Sequence, residues 1–280
     1  MSIFDEPKVD CHNHVLDPAR FAYAPDVGYR PAGPEIGTQV QHRAVMDAYG
    51  IRHALIVGPN SGYGFDNRCL LDTLAASGGR FKGVAVVPPD TDADTLRALR
   101  DQGVVGVAFN MALHGVAHYE PSRPLMRRLA DLDMFVQVQV DQDQMVQLAP
   151  WVLESGARIL IDHCGRPDPA RGLGQAGFQA VLKLAQSGRA TVKLSGMQKF
   201  SSQGWPFDDA RPYVQALIEA YGLDHCLWAS DWPFLRAPER VDIGPLLRWF
   251  EALLPDAADR HRLFWQTPVR LLGFDDRVHS

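Results

Sequence analysis

The chain has 280 residues, of which 46% are hydrophobic and 22% are charged. This composition predicts a folded protein with a sizeable core and excludes a disordered chain and a small disulfide scaffold. The formal net charge of −5 argues against a nucleic-acid partner, because such proteins cluster positive charge on one face. No apolar run reaches the roughly 18 residues that a transmembrane helix needs, so no membrane partner is expected.

The cysteines and the N-terminus indicate the compartment. The four cysteines, Cys11, Cys69, Cys164 and Cys226, show no CxxC spacing. Residues 1–10 are acidic and lack the apolar region of a signal peptide. We therefore expect free thiols and a cytoplasmic protein. The sequence carries no signal for the oligomeric state.

Short β-branched runs alternate with longer amphipathic stretches, which is the pattern of repeated βα units. The predicted strands are 9–15, 53–59, 83–87, 104–111, 135–140, 157–165, 189–196 and 226–233. The helical stretches between them include 66–77, 91–102, 124–133, 142–154, 175–187 and 206–221. Eight such units predict a (β/α)8 TIM barrel formed by one domain over 1–280. An open doubly wound sheet has the same periodicity and stays an alternative.

Polar residues end several predicted strands, where the catalytic groups of a (β/α)8 barrel lie. They are His12, His14, Asn110, Gln139, Asp141, His163, Ser195 and Asp231. Because strand side chains alternate, His12 and His14 are expected to share a face. Alternation also places Ile159, Ile161 and His163 on one face.

The strongest signal is the His-x-His pair of the first strand. Both imidazoles can reach one atom, as two metal ligands or as two hydrogen-bond donors to an oxygen. A half-buried strand also carries such a pair by chance. Closure of the barrel brings strand eight beside strand one, and with it Asp231 beside His12 and His14. A carboxylate among imidazoles is a metal ligand or a general base for water.

Four segments occur in a characteristic order: DCHNH at 10–14, IDHCGRPD at 161–168, VKLSG at 192–196 and WASDWP at 228–233. Together they resemble the amidohydrolase superfamily. The similarity is greatest to its amidohydrolase-2 branch, which includes the 2-pyrone-4,6-dicarboxylate lactonases and related sugar-lactone hydrolases. The resemblance runs from about residue 9 to residue 274. It implies a hydrolase that opens a small lactone of the sugar-acid, muconate or pyrone type.

The resemblance also implies roles for individual residues. His12, His14 and His163 would polarise the lactone carbonyl, and Asp231 would activate water. The implied substrate-binding positions are Tyr29, Arg166, Lys199, Gln139 and His114.

Some positions depart from the pyrone lactonases. Ala108 and His114 stand where those enzymes carry arginine, and Gln139 stands where they carry tyrosine. Two guanidinium groups that would grip carboxylates are therefore missing. This predicts a monoanionic or neutral polyhydroxylated lactone as the substrate. If a dicarboxylate were preferred, the missing groups would have to be replaced by His114 or by an arginine such as Arg30, Arg68 or Arg236.

Metal dependence is a separate question. Many amidohydrolases use a fourth-strand Lys or Glu and a fifth-strand His, where this chain has Asn110 and Gln139. A binuclear centre is therefore not expected. The lactonase branch often works without a required metal, and we expect no required cofactor here. A single Zn²⁺ held by the three histidines and Asp231 is the alternative.

Three other functions stay open at this point. A mononuclear zinc-dependent amidohydrolase or decarboxylase would act on a small carboxylate with the same four residues. A Schiff-base lyase would use Lys193, an inward lysine on a late strand, as its nucleophile. The plainer interpretation of Lys193 is a buried ion pair with Asp10. A barrel that only binds a small acid is the third. In every case the expected partner is a small molecule.

The cysteines beside the site histidines have an expected place as well. Cys11 precedes His12, and Cys164 follows His163. Alternation along a strand places each cysteine on the face opposite to its neighbouring histidine. We expect both at the interface between barrel and helices, where cysteine is a small core residue.

Overall fold

The structure is a computed structural model and describes residues 2–58 and 60–275. Eight parallel strands form one sheet, with each strand next to its neighbours in sequence. They are β1 (Lys8–Asn13), β2 (Ile51–Val57), β3 (Phe81–Ala85), β4 (Val104–Asn110), β5 (Phe135–Gln139), β6 (Arg158–Ile161), β7 (Ala190–Leu194) and β8 (Cys226–Trp228). All eight predicted strands are present. Pro59, the last residue of the second predicted strand, lies outside the described residues.

Helices surround the strands and confirm the (β/α)8 barrel. The longer ones are Gln39–Ala48, Arg68–Ala75, Ala93–Asp101, Arg123–Asp131, Gln144–Ser155, Ala176–Leu184, Arg211–Tyr221 and Ile243–Leu253. Short helices in the loops after β2, β4 and β7 are Asn60–Tyr63, Met111–His114 and Met197–Phe200. The segments Ala257–His261, Arg262–Gln266 and Thr267–Leu272 follow the last long helix. Within the described ranges, no helix is long and apolar enough to cross a membrane.

The two ends of the sheet meet just beyond the last strand. The Asp231 N–H donates to the His12 carbonyl at 2.8 Å, and the His14 N–H donates to the Trp232 carbonyl at 2.8 Å. These backbone hydrogen bonds hold the chain after β8 against the end of β1. The predicted placement of Asp231 beside the first-strand histidines follows from this closure.

A buried carboxylate reinforces the same junction. Asp10 is fully buried on β1 and accepts hydrogen bonds from the Ser230 N–H, at 2.9 Å, and from the Ser230 hydroxyl. Burial raises the pKa of Asp10 to about 6, and the hydrogen bonds from Ser230 oppose that rise. A buried carboxylate depends on such donors, because an unpaired one is expensive to desolvate.

Two apolar clusters lie on opposite sides of the strands. The inner cluster fills the barrel and includes Leu55, Phe135 and Leu227, whereas the outer cluster joins the strands to the helices. All four cysteines are buried free thiols, as predicted. Cys164 belongs to the outer cluster, as expected, but Cys11 belongs to the inner one. The prediction for Cys11 is wrong because the pairing register of β1 with β2 shifts after Asp10.

The predicted common face of Ile159, Ile161 and His163 is also wrong. Both isoleucines pack in the outer cluster, while Leu160 packs inside the barrel. β6 ends at Ile161, and His163 has a φ of 52°, in the left-handed region. A turn therefore brings His163 to the site, and such backbone strain is typical of functional positions.

We predict that Ser230→Ala weakens the barrel junction. The substitution leaves a buried Asp10 oxygen without its hydroxyl donor, and hydrogen bonds to charged groups contribute about 1.5–3 kcal/mol. Urea denaturation should show a loss of that size in the free energy of unfolding. The control is Ser187→Ala, which removes a hydroxyl that donates to the neutral Leu184 carbonyl and should cost about 1 kcal/mol. Equal losses in the two variants would contradict the role given to Ser230.

Candidate active site

A cavity of about 360 Å³ opens where the strands end. Its walls come from the ends of β1, β2, β4 and β5 and from the loops after β1, β2, β4, β6, β7 and β8. The predicted site residues that line it are His12, His14, Gln139, Arg166 and Lys199. The cavity therefore lies at the C-terminal face of the barrel, where (β/α)8 enzymes hold their active sites.

Asp231 lies at the centre of the predicted histidines. Its Oδ1 atom is 3.9 Å from His12 Nε2, 3.8 Å from His14 Nε2 and 3.7 Å from His163 Nε2. All four side chains are buried. The structure thus brings together the four residues that the sequence singled out from three distant segments.

The second nitrogen of each imidazole has a partner of its own. His14 Nδ1 is 2.8 Å from the Val57 carbonyl oxygen, and His163 Nδ1 is 3.0 Å from the Ser195 hydroxyl. His12 Nδ1 is 3.1 Å from Asp162 Oδ1. Such partners fix the orientation of each ring and aim its Nε2 at Asp231.

The histidines are held in their neutral form. Burial lowers the pKa of His14, and it lowers the pKa of His12 and His163 well below the usual range. A carbonyl oxygen only accepts hydrogen bonds, so the single proton of neutral His14 is on Nδ1. Its Nε2 therefore presents a lone pair to the Asp231 carboxylate.

The centre of this group suits a cation. Among the described residues, Asp231 Oδ1 and His163 Nε2 are buried without a hydrogen-bond partner. Ligand atoms of His12, His163 and Asp231 all lie within 4.8 Å of one another. Imidazole nitrogens with a carboxylate oxygen are a frequent donor set for Zn²⁺. The residues present thus fit a single divalent metal ion.

A polar network supports His12 from the barrel interior. Lys193 Nζ is fully buried and lies 3.0 Å from Asp162 Oδ1, 2.6 Å from Gln137 Oε1 and 3.2 Å from His12 Nδ1. Gln137 Nε2 donates to Asp162 Oδ2 at 3.0 Å. The predicted ion pair between Lys193 and Asp10 is wrong. Lys193 pairs with Asp162, whereas Asp10 accepts hydrogen bonds from Ser230. Sequence reasoning missed Gln137, which strand alternation places on the same face as Gln139.

Lys199 interacts with the other oxygen of Asp231. Its Nζ is 2.8 Å from Asp231 Oδ2, and Gln198 Nε2 lies 3.4 Å from the same atom. One carboxylate oxygen is therefore held by donors, while Oδ1 faces the imidazoles. Lys199 was predicted as a substrate contact, and its charge is already matched by Asp231.

Two predicted substrate contacts lie outside the cavity lining. Tyr29 donates a hydrogen bond to the Glu35 carboxylate, and burial raises the pKa of its hydroxyl to about 12. His114 is exposed and stacks on His118 with 4.8 Å between the ring centroids. Neither side chain lies within the lining of the cavity.

Comparison with known proteins agrees with this geometry. A family model described as amidohydrolase matches residues 9–274. The chain belongs to the amidohydrolase family. It is 33% identical to a 4-sulfomuconolactone hydrolase of Rhizobium radiobacter over 274 residues, 94% of this chain and 89% of that relative. It is 27% identical to a 2-pyrone-4,6-dicarboxylate hydrolase of Comamonas testosteroni, with the same two coverages. The resemblance seen in the sequence motifs is confirmed.

A solved structure has the same fold. It comes from Pseudomonas putida and is described as a 2-pyrone-4,6-dicarboxylic acid hydrolase. The TM-score is 0.83 at 31% sequence identity, with 96% of this chain and 98% of that chain covered.

Of the three arginines considered from the sequence, Arg236 lines the cavity of this amidohydrolase. Arg30 donates to the Pro25 carbonyl, and Arg68 pairs with Asp66. Arg236 follows Asp231 by five residues and belongs to none of the four motifs, so no pattern in the sequence distinguished it.

Gly196 leaves room for His163. It has a φ of +69°, and a Cβ atom there would lie 2.6 Å from His163 Cβ and 2.7 Å from its Nδ1. Real Cβ atoms do not approach so closely, so a side chain at 196 displaces the imidazole.

We therefore predict that Gly196→Ala lowers kcat by about a hundredfold, the usual effect of misplacing a reacting group by about 1 Å. The control is Gly188→Ala, because Gly188 has a φ of +65° and no atom within 4 Å of an added Cβ. Both variants should lose about 1–2 kcal/mol of stability from left-handed strain, but Gly188→Ala should keep its kcat. Equal kcat values in steady-state assays would contradict the packing role of Gly196.

Proposed function

We propose that this amidohydrolase opens a small lactone by adding water to the ring carbonyl. The protein is a hydrolase of cyclic esters, and its curated relatives include hydrolases of a muconolactone and a pyrone. The observation that carries the mechanism is the position of Asp231 Oδ1, which is buried, without a partner among the described residues, and within 3.9 Å of three imidazole nitrogens.

Asp231 is the proposed general base. Its Oδ1 takes a proton from water, and the water oxygen attacks the carbonyl carbon of the lactone. Lys199 and Gln198 hold Oδ2 during this step, so the carboxylate keeps one orientation. The bond between the carbonyl carbon and the ring oxygen then breaks, and the proton from Asp231 passes to that ring oxygen. The product is an open-chain hydroxy acid.

The histidines surround the oxygen on which negative charge develops. His12 is kept in place by Asp162, Lys193 and Gln137, and this rigid support is what stabilisation of an oxyanion needs. Neutral His14 offers a lone pair at Nε2 instead of a proton. A cation among these nitrogens is therefore better matched to the site than a direct hydrogen bond from His14.

We infer that one divalent metal ion, with Zn²⁺ the first candidate, belongs to the site. His12, His14, His163 and Asp231 would hold it. When bound, such an ion polarises a carbonyl group and lowers the pKa of water. The support is the pair of buried atoms without partners, Asp231 Oδ1 and His163 Nε2. The expectation of a reaction that requires no metal is not confirmed.

A Schiff-base lyase has less support. The Lys193 ammonium is engaged by Asp162, Gln137 and His12, and among the described residues Lys193 is not part of the cavity lining. No observation favours the decarboxylase or the silent binding protein over the lactonase.

The proposed substrate is a small lactone with one anionic group or with neutral hydroxyls. Gln139 and Arg166 line the cavity and stay proposed contacts, because an amide hydrogen-bonds hydroxyls and a guanidinium binds anions. Ala108 adds no charge to the wall. The four free thiols suit a reducing compartment, so we propose the cytoplasm as the place of action.

The first test removes the base. Asp231→Asn keeps the shape of the side chain and should lower kcat by about 10²–10⁴-fold, the usual range for loss of a general base. The control is Asp133→Asn, which lies before β5 at the opposite end of the barrel, pairs with Arg158 and should keep full activity. Proton release on lactone hydrolysis measures both variants, with metal content recorded in parallel. A fully active Asp231→Asn enzyme would assign the base to another residue.

The second test concerns the metal. Purified protein should contain about one equivalent of a divalent ion by mass spectrometry, because residues 2–58 and 60–275 contain one cluster of three such ligands. Removal with dipicolinate should abolish turnover, and added Zn²⁺ should restore it. Full activity in protein that holds almost no metal would overturn the proposed metal and return the account to hydrogen-bond donors, in place of a metal ion, as the groups that stabilise the oxyanion.

A further inference from the structure

We infer that Arg236 determines specificity by binding an anionic substituent, a carboxylate or a sulfonate, on the lactone. This inference rests on the proposed lactone hydrolysis and adds the position of the substrate charge. Arg236 lies in the loop after β8 and lines the cavity.

The cationic side chains of the cavity differ in whether their charge is matched. Lys199 is 2.8 Å from the Asp231 carboxylate, and Arg166 Nε is 3.9 Å from Asp141 Oδ1. Across residues 2–58 and 60–275, the Arg236 guanidinium forms no salt bridge and rests on the Tyr29 ring, 5.1 Å from its centroid. Arg236 is therefore the lining cation without a carboxylate within 4 Å, whereas Arg166 has a distant one and no hydrogen-bond partner for its Nε among the described residues.

The loop holds Arg236 in a defined conformation. Its φ is 54°, in the left-handed region, and its backbone N–H donates to Glu35 Oε1 at 2.7 Å. The other Glu35 oxygen accepts from the Tyr29 hydroxyl. Glu35 thus fixes the backbone of Arg236 and the ring beneath its guanidinium without forming an ion pair with that guanidinium. A guanidinium on a fixed backbone and over a held ring loses less entropy when it binds an anion than an unsupported one.

The remaining lining indicates where the anion lies. Asn60, Asn110 and Gln139 form a neutral wall from the ends of β4 and β5 and the loop after β2, and Ala108 carries no polar group. Amides favour hydroxyl and ring oxygens over a carboxylate. The anionic substituent therefore points to the side of β8, and a guanidinium binds carboxylate and sulfonate oxygens with two parallel hydrogen bonds.

The experiment compares Arg236→Met with the wild-type enzyme on muconolactone and on the primary amide of its side chain. These probes share one ring and differ by one negative charge. We expect Arg236→Met to raise KM for muconolactone by about 10–100-fold, the loss of one charge-assisted contact. Its kcat should stay within about threefold, and KM for the amide should not change. Arg236→Lys should recover part of the loss, because it keeps a cation without the fork.

The matched control is Arg240→Met. Arg240 lies four residues further in the same loop, pairs with Asp242 at 3.1 Å and does not line the cavity. Unchanged KM values in this variant, beside a raised KM in Arg236→Met, support the inference. An unchanged KM in Arg236→Met for muconolactone and also for the sulfonate probe described next would overturn it while the lactonase activity stands. If the wild-type enzyme opened neither lactone, and none in a wider lactone panel, the proposed function itself would fail.

A sulfonate probe separates the two sources of negative charge. An effect of Arg236→Met of similar size on muconolactone and 4-sulfomuconolactone assigns the contact to the carboxylate. A larger effect on 4-sulfomuconolactone assigns it to the sulfonate. No effect on either lactone overturns the inference.

Discussion

The junction between β1 and the chain after β8 is the constraint on which the site depends. Two backbone hydrogen bonds join Asp231 and Trp232 to the end of β1, and the Asp10 carboxylate ties Ser230 to the same strand. Without this junction, Asp231 and the first histidine pair would belong to opposite edges of an open sheet. Closure of the barrel converts residues more than 200 positions apart into one buried group.

Burial then determines the chemistry of that group. Desolvation disfavours the imidazolium form, so the histidines are neutral and offer one proton and one lone pair each. The partner on the far nitrogen decides which of these faces Asp231, as the Val57 carbonyl does for His14. Lys193 and Asp162 neutralise each other beside His12, so the network supports the ring without adding net charge. The neutral histidines and the Asp231 carboxylate therefore leave a site that suits a cation. The hydrogen-bond partners create this preference, because they fix which nitrogen of each imidazole faces Asp231.

The sequence predicted the barrel and the four central residues because both depend on periodicity and strand ends. It predicted the path to His163 wrongly, since strand alternation stops at Ile161 and the left-handed turn has no periodic signal. It also predicted the wrong partner for Lys193, because a register shift in β1 decides which side chains meet across the barrel. The loop residues Tyr29, His114 and Arg236 could not be placed, because loop conformation rests on contacts such as that with Glu35.

The proposed hydrolysis requires that water adds to the carbonyl carbon of the lactone. Hydrolysis of muconolactone in H₂¹⁸O under single-turnover conditions, followed by mass spectrometry of the product fragments, measures where the water oxygen ends. We expect one ¹⁸O atom in the new carboxylate and none in the hydroxyl group. Label in the hydroxyl group, or a product without label, would rule out this reaction, because the bond broken would then not be that between the carbonyl carbon and the ring oxygen.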